Sequence, residues 1–213
     1  MIRIPTQEIL NQTSFSIEII EPYSIKSSNK DFTISMNEFQ SNASYTYYSI
    51  PKIEEKAFLL ASLKDWEKFN LLEGEANVYF ENTFVGTTLI DTRSSKDLLS
   101  ISLGEDKNVS VNRVKSKDFT TKKLIGSKKE EFKAWNIRVK NNKSQDIKII
   151  VLDQIPISKR EEIKITLDET FNGILNNETG EVQWDLDIRT KTTQELSLKY
   201  AVKYPKNRNL ILD

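Results

Sequence analysis

Apolar and polar positions alternate with a period of two along most of the chain, the pattern of strands that bury one face. Trp135, Ile137 and Val139 alternate with Asn136, Arg138 and Lys140. Asn141–Ser144 then supplies a turn, because Asn side chains bond their own backbone and tolerate left-handed conformations. Ile147–Leu152 follows as a nearly continuous, β-branched apolar run suited to the middle of a core, and Pro156 ends it. Downstream, Ile163, Ile165 and Leu167 alternate with polar neighbours, as do Val182, Trp184, Leu186 and Ile188, and Leu196, Leu198, Tyr200 and Val202. Turns fall at Asn172-Gly173 and at 176–180. Five short strands at even spacing between about 133 and 205 predict an immunoglobulin-like sandwich whose inward residues include Trp184, Leu198 and Tyr200.

Upstream, the same reading gives strands at Phe15–Ile19, at Phe32–Met36 and at Ala43–Ile53, the last broken at Pro51. Ala57–Trp66 has the composition of a helix but also alternates, and its all-β surroundings favour a strand to Lys64 and a loop to Glu73. Residues 74–90 read as a hairpin turning at Glu81-Asn82-Thr83. Further strands are expected from Leu98 and from Val109. Lys115–Lys133 differs: seven lysines stand against Asp118, Glu130 and Glu131, which predicts a mobile, solvated hairpin or loop. The expected fold is therefore all-β, built of antiparallel β-sandwiches. Residues 1–114 form an N-terminal sandwich-like part, 115–132 a protruding Lys-rich hairpin or loop, and 133–213 the immunoglobulin-like part. A sheet shared between the two larger parts is the alternative.

Composition narrows the chemistry. The 213 residues contain no Cys and no His, so disulfides, Cys-type zinc sites, cysteine nucleophiles and every Ser-His-Asp arrangement are excluded. Only carboxylate, Lys or Tyr chemistry is left. Thirty-one basic residues balance 31 acidic ones, so no global field steers the chain toward nucleic acid or an anionic membrane. No apolar run is long enough to span a bilayer, and the N-terminus lacks the features of a signal peptide, which reads as the start of a mature fragment.

Each candidate site has a structural reading beside the functional one. Asp185 and Asp187 share the exposed face of a strand and could serve calcium or acid–base work, but a solvated face opposite Trp184 and Leu186 accounts for them. Asp153, after a buried run, is expected to accept backbone N–H bonds and hold the fold. Gly104–Asn108 resembles a calcium loop superficially and lacks its ligand spacing. The pairs Glu54-Glu55, Glu130-Glu131 and Glu161-Glu162 read as solubilising. Tyr45, Tyr47, Tyr48 and Trp66 could form an aromatic platform for sugar or protein; alternation puts Tyr45 and Tyr47 in the core and Tyr48 on the other face. Lys117, Lys122, Lys123, Lys128 and Lys129, together with Tyr48, are the candidate interaction surface. Without Arg, Tyr or Trp, the Lys-rich segment does not fit a nucleic-acid arm. No cofactor or metal is expected.

Asn141–Ser144 and Val151–Pro156, with Tyr48–Lys52, Asn70–Asn77, Phe84–Gly86, Ser102–Asp106 and Lys203–Pro205, resemble the C-terminal β domain of the bacterial mucoidy inhibitor A family. The resemblance implies an exported envelope protein with an N-terminal β domain and a coiled-coil middle that this chain lacks. It also implies oligomerisation through that coiled coil and a phenotype tied to exopolysaccharide. It carries no catalytic residues. The expected function is a non-catalytic binding or scaffolding module of the cell envelope, contacting an envelope protein or polysaccharide. The alternatives are a carboxylate-dependent carbohydrate hydrolase or a purely structural assembly domain.

Overall fold

Strands form where the alternation is cleanest, since each can then bury one face against a second layer. The structure is a computed structural model. It describes residues 2–3, 6–10, 15–20, 34–35, 37–91, 98–117, 119 and 121–212, with the single positions 22, 24, 27 and 29. The chain divides into a unit of residues 1–42 and a unit of residues 43–213. In the first, β1 (Ile2–Arg3) pairs in parallel with β4 (Ile34–Ser35), and β2 (Thr6–Leu10) pairs antiparallel with β3 (Phe15–Ile19). The expected strand at Phe15–Ile19 is therefore present; Phe32, Thr33 and Met36 of the next lie outside the described residues.

The second unit is an all-β arrangement of two larger sheets and a hairpin. The five-stranded sheet runs β10 (Val109–Lys115), β12 (Lys128–Asn141), β17 (Thr193–Pro205), β14 (Lys164–Glu169), with β11 (Lys122–Ile125) also on β12. The six-stranded sheet runs β15 (Ile174–Leu175), β16 (Glu181–Ile188), β13 (Ile147–Gln154), β5 (Ala43–Ser49), β6 (Phe58–Lys64), β9 (Leu98–Glu105). β7 (Gly74–Phe80) and β8 (Thr83–Ile90) form the expected hairpin, with a tighter turn in which Glu81 and Asn82 both take positive φ. Trp66–Phe69, read as loop, is a short 3₁₀ turn. No helix among the described residues is long and apolar enough to cross a membrane.

The two large sheets face each other. Val111, Ile137, Val139, Leu196, Leu198, Tyr200 and Val202 of one meet Tyr47, Ile149, Val151, Val182 and Trp184 of the other in a single buried cluster. Each such side chain contributes roughly 1.5–3 kcal/mol on burial. Trp184, Leu198 and Tyr200 lie in it as the alternation predicts.

The strands after residue 128 distribute over both sheets, and earlier strands join them. β10 pairs with β12 from Val109↔Asn141 to Lys115↔Trp135, and β5 lies beside β13 from Tyr47↔Ile149 to Val151↔Ser49. That second pairing is parallel, so the six-stranded sheet is mixed, a departure from the purely antiparallel expectation. Alternation cannot reveal it, because a strand's period of two is the same in either direction. The Lys-rich segment does form a hairpin, turning at Gly126, and it is joined to the sheet. β12 is bonded along its whole length to β17, so the hairpin continues the sheet, and β10 and β11 lie end to end on one edge of β12. Glu131 is 3% exposed, in contrast with the solubilising role expected of it.

Candidate functional site

A cleft of about 730 Å³ opens where the turn after β9 meets the loop after β12, beside Tyr45, Tyr47 and Leu59. Both rims are fixed by short-range polar chemistry. On the first, the Asn108 amide donates to Asp106 Oδ1 at 2.9 Å, a side-chain turn of the kind that Asp favours, and the Asp106 amide donates to the Ala57 carbonyl at 3.0 Å. On the second, the buried Asn141 side chain does the work. Its Nδ2 donates toward the carbonyls of Gln145, Ile188 and Arg189 (2.8, 3.1 and 3.2 Å), and its Oδ1 accepts from the Lys143 amide at 2.9 Å. The Asn142 amide donates to the Asn108 carbonyl at 2.8 Å and ties the rims together.

Lys143 is thereby held over Asp106. Its Nζ is 2.6 Å from Asp106 Oδ2, and the Tyr47 hydroxyl donates to the same oxygen at 2.6 Å. Burial pushes the Asp106 carboxyl up. The hydrogen bonds from Lys143, Tyr47 and the Asn108 amide outweigh it and bring the group down to about 2. The Tyr47 phenol is raised by burial and by its bond to Asp106, against the opposing pull of Lys143. The Lys143 ammonium is raised chiefly by its bond to Asp106, with burial opposing.

A folded-state value below the unfolded one means that Asp106 adds stability above about pH 4, lost as the pH falls toward 2. The difference corresponds to roughly 2 kcal/mol. Asp106→Asn should therefore flatten the acid limb of stability. Thermal midpoints of the two proteins from pH 2 to pH 7 check this: the gap between them should narrow below pH 4, and a constant gap would contradict it.

The residues expected to form an interaction surface fall in different places. Tyr48 is half-buried in the six-stranded sheet, on the face of β5 opposite Tyr47, its phenol pushed up by burial and by the Glu181 charge. Lys122, Lys123, Lys128 and Lys129 belong to the hairpin in the other sheet, with the exposed Lys117 just before it. Lys122 Nζ lies 3.2 Å from Glu131, and Lys123 Nζ sits 5.0 Å from the Phe132 ring centroid. Glu131 also accepts from Tyr204 and has Lys133 at 3.5 Å. Burial pushes the Glu131 carboxyl up, and Tyr204, Lys122 and Lys133 bring it net below its ordinary value; burial and the Glu131 bond push the Tyr204 phenol up to about 12. Trp66 is buried, whereas Tyr45 is 57% exposed at the cleft, not in the core as alternation suggested. Its pair across β6 is Ala61, too small to cover a phenol ring.

Asp153 accepts from the Gln154 amide at 2.7 Å, as expected of a residue that holds the fold. Its main partner was not legible in the sequence: Arg113 Nε and Nη2 reach it at 2.6 and 3.2 Å. The guanidinium also lies 3.6 Å from the Trp135 ring centroid. Asp185 and Asp187 are exposed on one face; Gln183 Nε2 donates to Asp185, and Asp187 stands opposite Lys148. Among the described residues no group of three or more carboxylates is placed to hold a metal ion.

Two facing sheets with a polar, tyrosine-edged cleft at the turns define an all-β sandwich module. Residues 3–206 match the model of a single family, a domain of unknown function (DUF4139), and the chain belongs to that family. It is also similar to a Caenorhabditis elegans protein, F37C4.5, at 21% identity over 187 residues. The match covers 85% of this chain and 32% of the nematode protein, so the chain spans about a third of that relative's length.

Proposed function

We propose that the chain is a non-catalytic binding module and that the cleft edged by Tyr45 holds its partner. The observation that carries this reading is the closed Lys143–Asp106–Tyr47 constellation. A general acid or base works best with a pKa near the operating pH. Asp106 is held as an anion far below that range, and its Oδ2 is already occupied by an ammonium and a phenol. Such a group rigidifies the wall of the cleft and transfers no proton at neutral pH. Above it, Tyr45 offers an exposed ring, with Leu59 and Phe80 as apolar lining and Gln145, Asn108 and Lys148 as polar lining. That mixture suits a ligand with apolar faces and hydroxyl edges, as in a polysaccharide. Placement in a cell-envelope protein linked to exopolysaccharide rests on the likeness of Asn141–Ser144 and Val151–Pro156 to the mucoidy inhibitor A family.

Affinity electrophoresis through gels containing neutral or acidic polysaccharides tests the reading. The native chain should be retarded by at least one polymer, and Tyr45→Ala should lose most of that retardation, about tenfold in affinity, with an unchanged thermal midpoint. Turnover of any glycoside by the native chain, abolished in Asp106→Asn or Glu105→Gln, would overturn it.

A further inference from the structure

β14 ends its side of the five-stranded sheet, and among the described residues its outer backbone groups have no strand partner. A free edge is a template for another strand. Two features specify which strand this edge fits. On the inner side, Ile165 and Leu167 of β14, Ile155 and Ile157, and Leu175 of β15 line a groove of about 390 Å³ between the end strands of the two sheets. On the outer side, a row of directly opposed residues crosses four strands in the order Lys123, Glu130, Lys203, Lys164. It finishes with two lysines side by side, and like charges directly opposite one another are destabilising. Several cations of this sheet are compensated, Lys122 and Lys133 by Glu131, Lys199 by Glu169 and Arg138 by Glu195, while Lys115, Lys128, Lys129 and Lys140 stand opposite no second lysine. Lys164 and Lys203 make no ion pair among the described residues. A negative group next to Lys164 completes the row.

We propose that the β14 edge takes up an extended segment of a partner protein in which apolar residues alternate with Asp or Glu. Alternation along β14 dictates this chemistry. Ile165 and Leu167 are half-buried and Lys164 and Thr166 exposed, so an added strand sends one set of side chains into the groove and the other to the level of Lys164. Main-chain bonds give affinity and the side-chain sets give specificity. The register shift at Asp168 ends the regular edge after Leu167, so the docked stretch is short. Lys164 also disfavours a basic strand, which gives the site its discrimination. This site is separate from the cleft and stands on different residues.

The probe is a short fluorescein-labelled peptide alternating valine and glutamate, titrated into the full chain and followed by anisotropy. It should bind, and its counterpart alternating valine and lysine should bind at least about tenfold more weakly. Lys164→Glu should invert that order, with the thermal midpoint showing the variant folded. N-methylation of every second amide on the peptide should abolish binding without touching the protein. The proposal is overturned if the acidic peptide does not bind at low salt, or if a shuffled peptide of the same composition or the N-methylated one binds equally well. It is also overturned if a uronate polysaccharide displaces the peptide while binding the Lys164→Glu variant unchanged, or if the chain self-associates in sedimentation and the peptide does not dissociate it.

Discussion

Asp153→Ala is expected to cost about 3–5 kcal/mol, the range for removing one partner of a buried ion pair. Arg113's side chain is 8% exposed and Asp153's is fully buried, so the variant leaves a guanidinium inside the protein without its counter-charge. The Gln154 amide loses its acceptor as well. Small domains are stable by only about 5–15 kcal/mol, so this is a large share of the total. Urea unfolding at pH 7 measures it: the midpoint should fall with the slope unchanged. The double variant Arg113→Met/Asp153→Leu should recover more than half of the loss, because apolar replacements of similar volume carry no desolvation penalty. A single-variant loss under about 1 kcal/mol would show that the pair is dispensable.

Gly180→Ala is the second change with a large expected effect, about 2–5 kcal/mol from two additive causes. Gly180 has φ +73°, where an alanine costs about 1–2 kcal/mol. An added Cβ would also lie 2.3 Å from the Ile155 carbonyl oxygen and 2.9 Å from Ile157 Cγ2. The first of these is backbone and cannot rotate away, so the chain must move, at about 1–3 kcal/mol. Movement there stretches the bond from the Ile155 amide to the Gly180 carbonyl, now 2.9 Å. Gly126, at φ +58° with nothing near its Cβ, is the matched control and should lose only the conformational part in the same unfolding experiment. Equal losses at the two positions would rule out the steric cause.

Much of the sheet content was legible because one-sided burial writes itself into every second residue. Trp135 through Val139 and Val182 through Ile188 form strands where the alternation puts them, and Ile147 through Leu152 does so where the continuous apolar run puts it. Asp153 was legible as a residue of the fold because it follows a buried run. Its partner was not, because Arg113 lies on a strand that alternation treats as an ordinary half-exposed one. The cleft was illegible for the same reason. Tyr47, Asp106 and Lys143 come from three separate segments, each with a sufficient local account: a core tyrosine, a surface turn, a turn after Asn141. Only pairing between distant strands brings them within hydrogen-bond reach. Glu131 misled in the opposite direction: its neighbour Glu130 makes the pair look like solvated charge, although consecutive residues of a strand face opposite ways.

The position of β17 has a consequence for the way the chain is made. It follows β10, β12 and β14 in the chain, yet it lies between β12 and β14 in the middle of its sheet. β5, made early in this unit, waits in the same way for β13. Long-range pairings of this kind slow folding, because loop closure must be paid before any contact repays it. During translation the strands from Ala43 to Glu105 therefore emerge before β13 and β17, whose apolar faces cover theirs, have been made. A chain stopped before β17 lacks Leu196, Leu198, Tyr200, Val202 and Tyr204 from its core and leaves their partners exposed, a substrate for chaperones and proteases.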